Sequence, residues 1–104
     1  MPRFRVLLRG GPVFLLDEET QKAERLAFYA IRWVRAKTAE TAGVIACRCV
    51  LAQLEAMRPE NPPGERIAVT VDEMSRVSWF RAPRLGRGRG FSFVADGDGA
   101  ARGK

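Results

Sequence analysis

The stretch that decides the fold is Phe28-Tyr29-Ala30-Ile31-Arg32-Trp33-Val34-Arg35-Ala36-Lys37-Thr38-Ala39-Glu40-Thr41-Ala42. Its first seven residues concentrate aromatic and β-branched side chains, which favour a strand. Against that, Glu18 to Ala36 is rich in helix formers, and Lys22, Leu26, Tyr29, Ala30 and Trp33 fall at helical spacing. Local preference balances, and the junction decides. Thr38 is a natural N-cap, its hydroxyl oxygen accepting from the backbone N–H groups ahead of it. Glu40 then lies in the first turn, where a negative charge suits the helix dipole. A helix that begins at Ala39 needs a different element before it. Leu26–Ala36 therefore reads as a strand leading into a strand-to-helix turn; the alternative keeps two helices, Glu18–Ala36 and Ala39–Met57.

Downstream, the helix is expected to run from Ala39 to about Met57. On a helical wheel Ala42, Ile45, Ala46, Cys49, Val50, Leu54 and Met57 form a broad apolar face, with Glu40, Thr41, Arg48, Glu55 and Arg58 opposite. Val44 and Leu51 fall on that outer side, where isolated exposed apolar residues need no explanation; the alternative is that together they mark a minor contact. Pro59-Glu60-Asn61-Pro62-Pro63-Gly64 ends the helix. Ile67–Asp72 alternates, with Ile67, Val69 and Val71 inward, and continues after a bend through Glu73–Phe80. Ala82–Gly90 reads as a loop and Phe91–Val94 as a short edge strand.

Upstream, Phe4, Val6 and Leu8 share one side of Arg3–Arg9, and Arg3, Arg5, Leu7 and Arg9 share the other. That is the period-two signature of a half-buried strand. Gly10-Gly11-Pro12 is expected to end it, since proline cannot donate to a ladder. Val13–Leu16 is then a short extended piece before a polar loop, Asp17–Glu24.

The order of elements predicts an α+β layer: an antiparallel sheet of three to four strands with one long helix packed on one face. At 104 residues, 46% of them hydrophobic and 29% charged, the chain fits one domain. Residues 1–94 are assigned to it. Ala95–Lys104, built only of Gly, Ala and charged residues, is expected to be a disordered tail.

Three segments carry a resemblance. Arg3–Arg9, Phe28–Ala36 and the Thr38-capped start Thr38-Ala39-Glu40-Thr41-Ala42 resemble a group of small uncharacterised bacterial proteins with a ferredoxin-like or similar one-helix-on-sheet arrangement. The resemblance covers roughly the first 60 residues and the strand near Ile67. It implies a fold and no activity, and Arg81–Arg89 matches nothing in it.

Chemistry is marked by what is missing. There is no histidine, which removes the commonest general base and metal ligand and every Ser-His or Cys-His nucleophile. The carboxylate clusters Asp17-Glu18-Glu19 and Asp72-Glu73 lie in a loop and at a strand end, where solvated or capping roles suffice. A carboxylate enzyme would need Asp17, Glu73 or another acid in a concave pocket with a raised pKa. Asp96-Gly97-Asp98-Gly99 lacks the further oxygen ligands of a calcium loop. Gly86–Gly90 lacks the Lys-Ser/Thr and helix of a phosphate loop. Cys47 and Cys49, two apart on a helix, point about 200° from one another and can neither pair nor chelate one metal. They are expected to be buried as small apolar residues. No catalytic residue, metal or cofactor is assigned.

Two binding surfaces follow. The net charge is +6, and the chain from Trp79 onward has 6 basic residues against 2 acidic, whereas Met1–Ser78 has 12 against 10. Arg81, Arg84, Arg87 and Arg89 stand without an acid among them, an Arg-Gly segment suited to a nucleic-acid backbone. The second surface is the sheet's helix-free face. With Phe28, Ala30, Val34 and Ala36 toward the helix, Tyr29, Ile31, Trp33 and Arg35 face away, beside Arg3, Arg5, Leu7 and Arg9. Arg32 sits awkwardly on the helix side, and the reverse facing would make Tyr29 and Trp33 plain core. The surface Arg3, Arg5, Arg9, Tyr29, Ile31 and Trp33 is read first as burying itself in a symmetric homodimer of a non-catalytic interaction module; the alternative is weak single-stranded nucleic-acid binding. The apolar runs Val6–Leu8 and Val13–Leu16 are too short for a membrane span or signal core, so a cytoplasmic protein with no membrane partner is expected.

Overall fold

In the computed structural model, residues 1–78 and 90–95 are described. Two long strands, β1 (Arg3–Asp17) and β2 (Lys22–Arg35), form a hairpin, followed by helix α1 (Ala39–Ala56), β3 (Ala68–Val77) and β4 (Ser92–Ala95). All pairings are antiparallel, in the order β3-β1-β2-β4. The class is α+β, with α1 packed on one face of a four-stranded sheet.

The deciding stretch is a strand ending in a capped helix, as its junction requires. Thr38 is extended, and its hydroxyl oxygen accepts from the Thr41 backbone N–H at 3.1 Å. Phe28, Ala30, Arg32 and Val34 are buried toward α1, joined by Phe4, Val6, Leu8 and Val13 from β1. Burying side chains of this size contributes about 1.5–3 kcal/mol each for the larger ones. Alternation then sends Tyr29, Ile31, Trp33 and Arg35 to the other face, so the reverse facing does not occur.

β1 does not stop at Gly10-Gly11-Pro12; it continues to Asp17 through a bulge, where the register to β2 shifts between Gly10 and Val13. Two local facts allow this. Pro12 falls where the ladder skips, so its missing N–H leaves no gap, and its carbonyl accepts from Asn61 Nδ2 at 2.8 Å. Gly10 lies so close to β3 that an added Cβ would collide with the Ala68 carbonyl oxygen. Beyond the bulge the post-helix loop takes β3's place along the edge. Phe14 donates to Asn61 Oδ1 at 3.0 Å and accepts from the Glu60 N–H at 2.7 Å. Asn61 Nδ2 also reaches the Glu65 carbonyl, at 2.7 Å.

The polar loop is shorter than Asp17–Glu24, because β2 begins at Lys22. Its turn is closed by Gln21 N–H to the Asp17 carbonyl (2.7 Å) and by Asp17 Oδ1 accepting from Glu19 N–H (2.8 Å). β4 occupies Ser92–Ala95, so Ala95 belongs to the sheet rather than to the tail. The remainder of the expected tail, 96–104, and the segment 79–89 lie outside the described residues.

α1 sits rotated from the expected face. Ala42, Gly43, Ala46, Val50 and Leu54 are buried, whereas Ile45 and Met57 are more than two-fifths exposed. The rotation brings Gly43 over Val71 and Met74, to which an added Cβ would stand at ordinary contact, 3.4 and 3.5 Å. The same rotation corrects the cysteines, neither of which is fully buried: Cys47 is half-buried and Cys49 exposed.

Candidate functional site

The sheet's open face is built by strand alternation. Across the two central strands Arg3 stands opposite Arg35, Arg5 opposite Trp33, Leu7 opposite Ile31 and Arg9 opposite Tyr29. On the other side of β1, Arg3 faces Val77, Arg5 faces Ser75, Leu7 faces Glu73 and Arg9 faces Thr70. Arg3, Arg5, Arg9, Tyr29, Ile31 and Trp33 are thus brought onto one surface, and β1 and β2 place them at its centre. Tyr29 is 42% exposed, although its strand neighbours Phe28 and Ala30 are buried.

Arg3, Arg5, Arg9 and Arg35 share this face, and Arg5 and Arg9 each meet a carboxylate. Arg5 lies 3.7 Å from Glu73, and Arg9 lies 3.1 Å from Asp72, which the register shift between Leu7 and Leu8 leaves as the extra residue of a bulge in β3. Both pairs are largely solvated, so each is worth little and can exchange partners. At one end of the face a cleft of about 390 Å³ opens beside the β1 bulge, lined by Arg9, Pro12, Arg25, Tyr29 and Thr70 among others. Arg25 there is held by Glu65 at 2.6 Å and lies over the Phe14 ring. Toward the other edge, Leu7, Tyr29, Ile31, Gly90 and Ser92 line a second shallow cleft of about 330 Å³.

Arg32, the misfit of the sequence, is held as a structural group. It is 3% exposed, and four of its five N–H donors are used. Nε and Nη2 donate to Gln53 Oε1 at 3.1 and 2.6 Å, and Nη1 to the carbonyls of Ile31 (2.7 Å) and Gly90 (3.1 Å). Its guanidinium also lies 4.9 Å over the Phe91 ring, which packs edge-on against Phe28. Burial lowers its pKa from the ordinary value, an effect the neighbouring Cys49 partly offsets. Arg32 therefore ties β2, α1 and the start of β4 together. Nothing in its local sequence marks this role.

The candidate acids are occupied: Asp17 in the hairpin turn and Glu73 beside Arg5. Among the described residues no three His, Cys, Asp or Glu side chains gather as a metal site. No described helix is long and apolar enough to cross a membrane. The expected contacts Arg81, Arg84, Arg87 and Arg89 lie outside the described residues; the residues flanking them, Ser78 and Gly90, follow β3 and precede β4 at opposite edges of the sheet. Two features escaped the sequence: the Asn61 clamp, for which a Pro-rich loop gives no signal, and a groove beside Gly43. The second had one, since an isolated glycine inside a helical pattern marks close packing.

Comparison with known proteins found no matching family model, no similar curated protein and no similar solved structure. The resemblance to small bacterial proteins rests on the quoted residues alone.

Proposed function

We propose that this is a non-catalytic binding module whose open sheet face takes a single-stranded nucleic acid. One observation carries the reading: the register sets Arg5 beside Trp33 and Arg9 beside Tyr29 on a helix-free face. Flat aromatic rings stack on bases of any sequence, while guanidinium groups next to them neutralise the phosphates between. Arg81, Arg84, Arg87 and Arg89 would extend the basic track. The strand order is compatible with a ferredoxin-like relationship, in which such a sheet face is open on one side.

A second reading, self-association through the same face, is favoured by Leu7 and Ile31 at its centre. It would set four arginines against four, and like charges brought together across an interface cost several kcal/mol. That weighs toward the anionic partner.

The test is binding of fluorescent single-stranded oligonucleotides by anisotropy at several salt concentrations. Log affinity is expected to fall linearly with log salt, with a slope of about −0.7 for each phosphate neutralised. Arg5→Ala and Arg9→Ala should flatten that slope. Trp33→Ala should weaken binding by about 1–3 kcal/mol, the usual worth of one stacked base. No binding at low salt by the wild-type chain would remove the reading.

A further inference from the structure

An apolar groove of about 560 Å³, lined by Val44, Cys47, Val71 and Met74 among others, lies between α1 and β3, away from the open face. The cleft at the β1 bulge opens onto that face instead, and strand pairing explains why a recess forms there. Along the central hairpin the cross-strand pair Arg9–Tyr29 is followed by a gap and then by Phe14–Arg25. Between the two pairs the register skips Gly11 and Pro12, and Ala27 lies opposite the skip on β2. Small residues between two pairs of large ones leave a depression of about 390 Å³. Its floor is fixed, because the Pro12 carbonyl accepts from Asn61 Nδ2 at 2.8 Å.

The walls differ in kind. Tyr29 is 42% exposed and presents a phenol ring. Arg25 stands at the other end of the cleft, four residues along the same strand, about 13 Å away at the usual strand rise. Its planar guanidinium is held on two sides. Nη1 donates to both carboxylate oxygens of Glu65, at 2.6 and 2.9 Å, and the group lies 5.7 Å over the Phe14 ring. Glu65 neutralises its charge and Phe14 backs it, so toward the cleft Arg25 offers a flat stacking surface rather than a phosphate ligand. Thr70, opposite Arg9, sets a hydroxyl at the rim that can donate or accept.

Flat groups at both ends, a polar atom at the rim and a volume at the low end of the range of about 300–1,000 Å³ for small-ligand sites suit one planar heterocycle. We infer that this cleft is a base pocket: one nucleobase of the bound strand leaves the flat track and enters it, between Tyr29 and the Phe14-backed Arg25. Arg9, at its mouth, stays with the phosphates. The inference rests on the nucleic-acid reading and adds to it a recessed subsite whose binding is stacking rather than charge. Because the Thr70 hydroxyl serves either kind of base edge, the pocket requires a base without choosing which.

Anisotropy titrations with two labelled chains of equal length and charge test it: oligothymidylate, and the same deoxyribose-phosphate chain with abasic sites throughout. Ala27→Ile fills the cleft floor with a strand-favouring aliphatic side chain that has no aromatic face. It should weaken oligothymidylate binding about five- to 150-fold, the worth of one stacked base, and leave affinity for the abasic chain unchanged. The charge-neutral double variant Arg25→Gln/Glu65→Gln removes the second wall and should act the same way, with the salt slope of the wild type. Circular dichroism checks folding, and either folded variant decides the case. Equal losses on both chains would place the effect on the phosphate track and overturn the inference. So would a flattened salt slope in the double variant. Full oligothymidylate affinity in the cleft variants, with Trp33→Ala still weakening it, would remove the pocket and leave the open face as the binding surface. A wild type that binds neither chain at low salt would remove both.

Discussion

The two faces of β2 carry similar residues to opposite ends. Phe28, Ala30, Arg32 and Val34 point toward α1, while Tyr29, Ile31, Trp33 and Arg35 point away. Each face thus has an aromatic, an aliphatic and an arginine. Phe28 is wholly buried and Tyr29 is 42% exposed. The arginines differ most. Arg32 is enclosed with neutral acceptors, Gln53 and two carbonyls, and nearly all its donors are committed. On the open face, Arg5 and Arg9 each meet one partly exposed carboxylate and stand opposite an aromatic residue. A guanidinium whose hydrogen bonds are satisfied inside the fold is part of its framework; one held by a solvated pair worth little is available to a ligand.

The largest expected contrast lies between the aromatics. Phe28→Ala should cost about 3–5 kcal/mol, because it empties the centre of the core, whereas Trp33→Ala on the same strand should cost far less. Urea unfolding of the two variants measures it, and equal losses would mean that the open face is covered. Next come the arginines. Arg32→Met leaves the Gln53 amide and the Gly90 carbonyl without their partner and should cost about 1–3 kcal/mol, while Arg35→Met should stay within about 0.5 kcal/mol. Arg32→Lys should not rescue, since a single ammonium cannot reproduce the planar fork. Faster amide exchange in β4 of the Arg32 variants would show that this side chain holds the strand in place.

A smaller effect has the opposite sign. Gly43→Ala should stabilise the protein by about 0.5–1 kcal/mol, because the new methyl meets Val71 and Met74 at ordinary contact and the helix loses a flexible residue. Thermal melting reads this gain. The smallest contrast is chemical. Cys49 is exposed, and burial raises the pKa of Cys47, so less of Cys47 is thiolate at a given pH. Alkylation at mildly alkaline pH should label Cys49 first, with mass spectrometry of the digest giving the order. Faster labelling of Cys47 would mean that the groove beside it opens widely.

Much of the fold is legible because its signals are local. A Thr38 cap, an acid at Glu40 and a proline-rich stop define α1 to within a residue. Alternation in Arg3–Arg9 and in Phe28–Ala36 sorts the central hairpin into two faces and groups the residues of the candidate surface, but which face meets α1 stayed open because Arg32 fell on the helix side. Gly10-Gly11-Pro12 was illegible for the converse reason. Whether such a triplet ends a strand or bulges within one depends on what lies beside it, here Ala68 and Asn61, distant in the chain. The rotation of α1 was hidden likewise, since a wheel ranks side chains by polarity and cannot know that Gly43 will abut β3.

The sequence by itself determined the class, the capped start and the stop of the helix, the grouping of alternating residues into two faces and the lack of histidine chemistry. Period-two and period-3.6 patterns and capping residues act over a few neighbours, so they can be read without coordinates. Only the tertiary structure decided which face of β2 meets α1, the bulge, the Asn61 clamp, the burial of Arg32 and the groove beside Val44 and Met74. Each of these depends on hydrogen bonds or close approach between segments far apart in the chain, and no local pattern encodes which segments will meet.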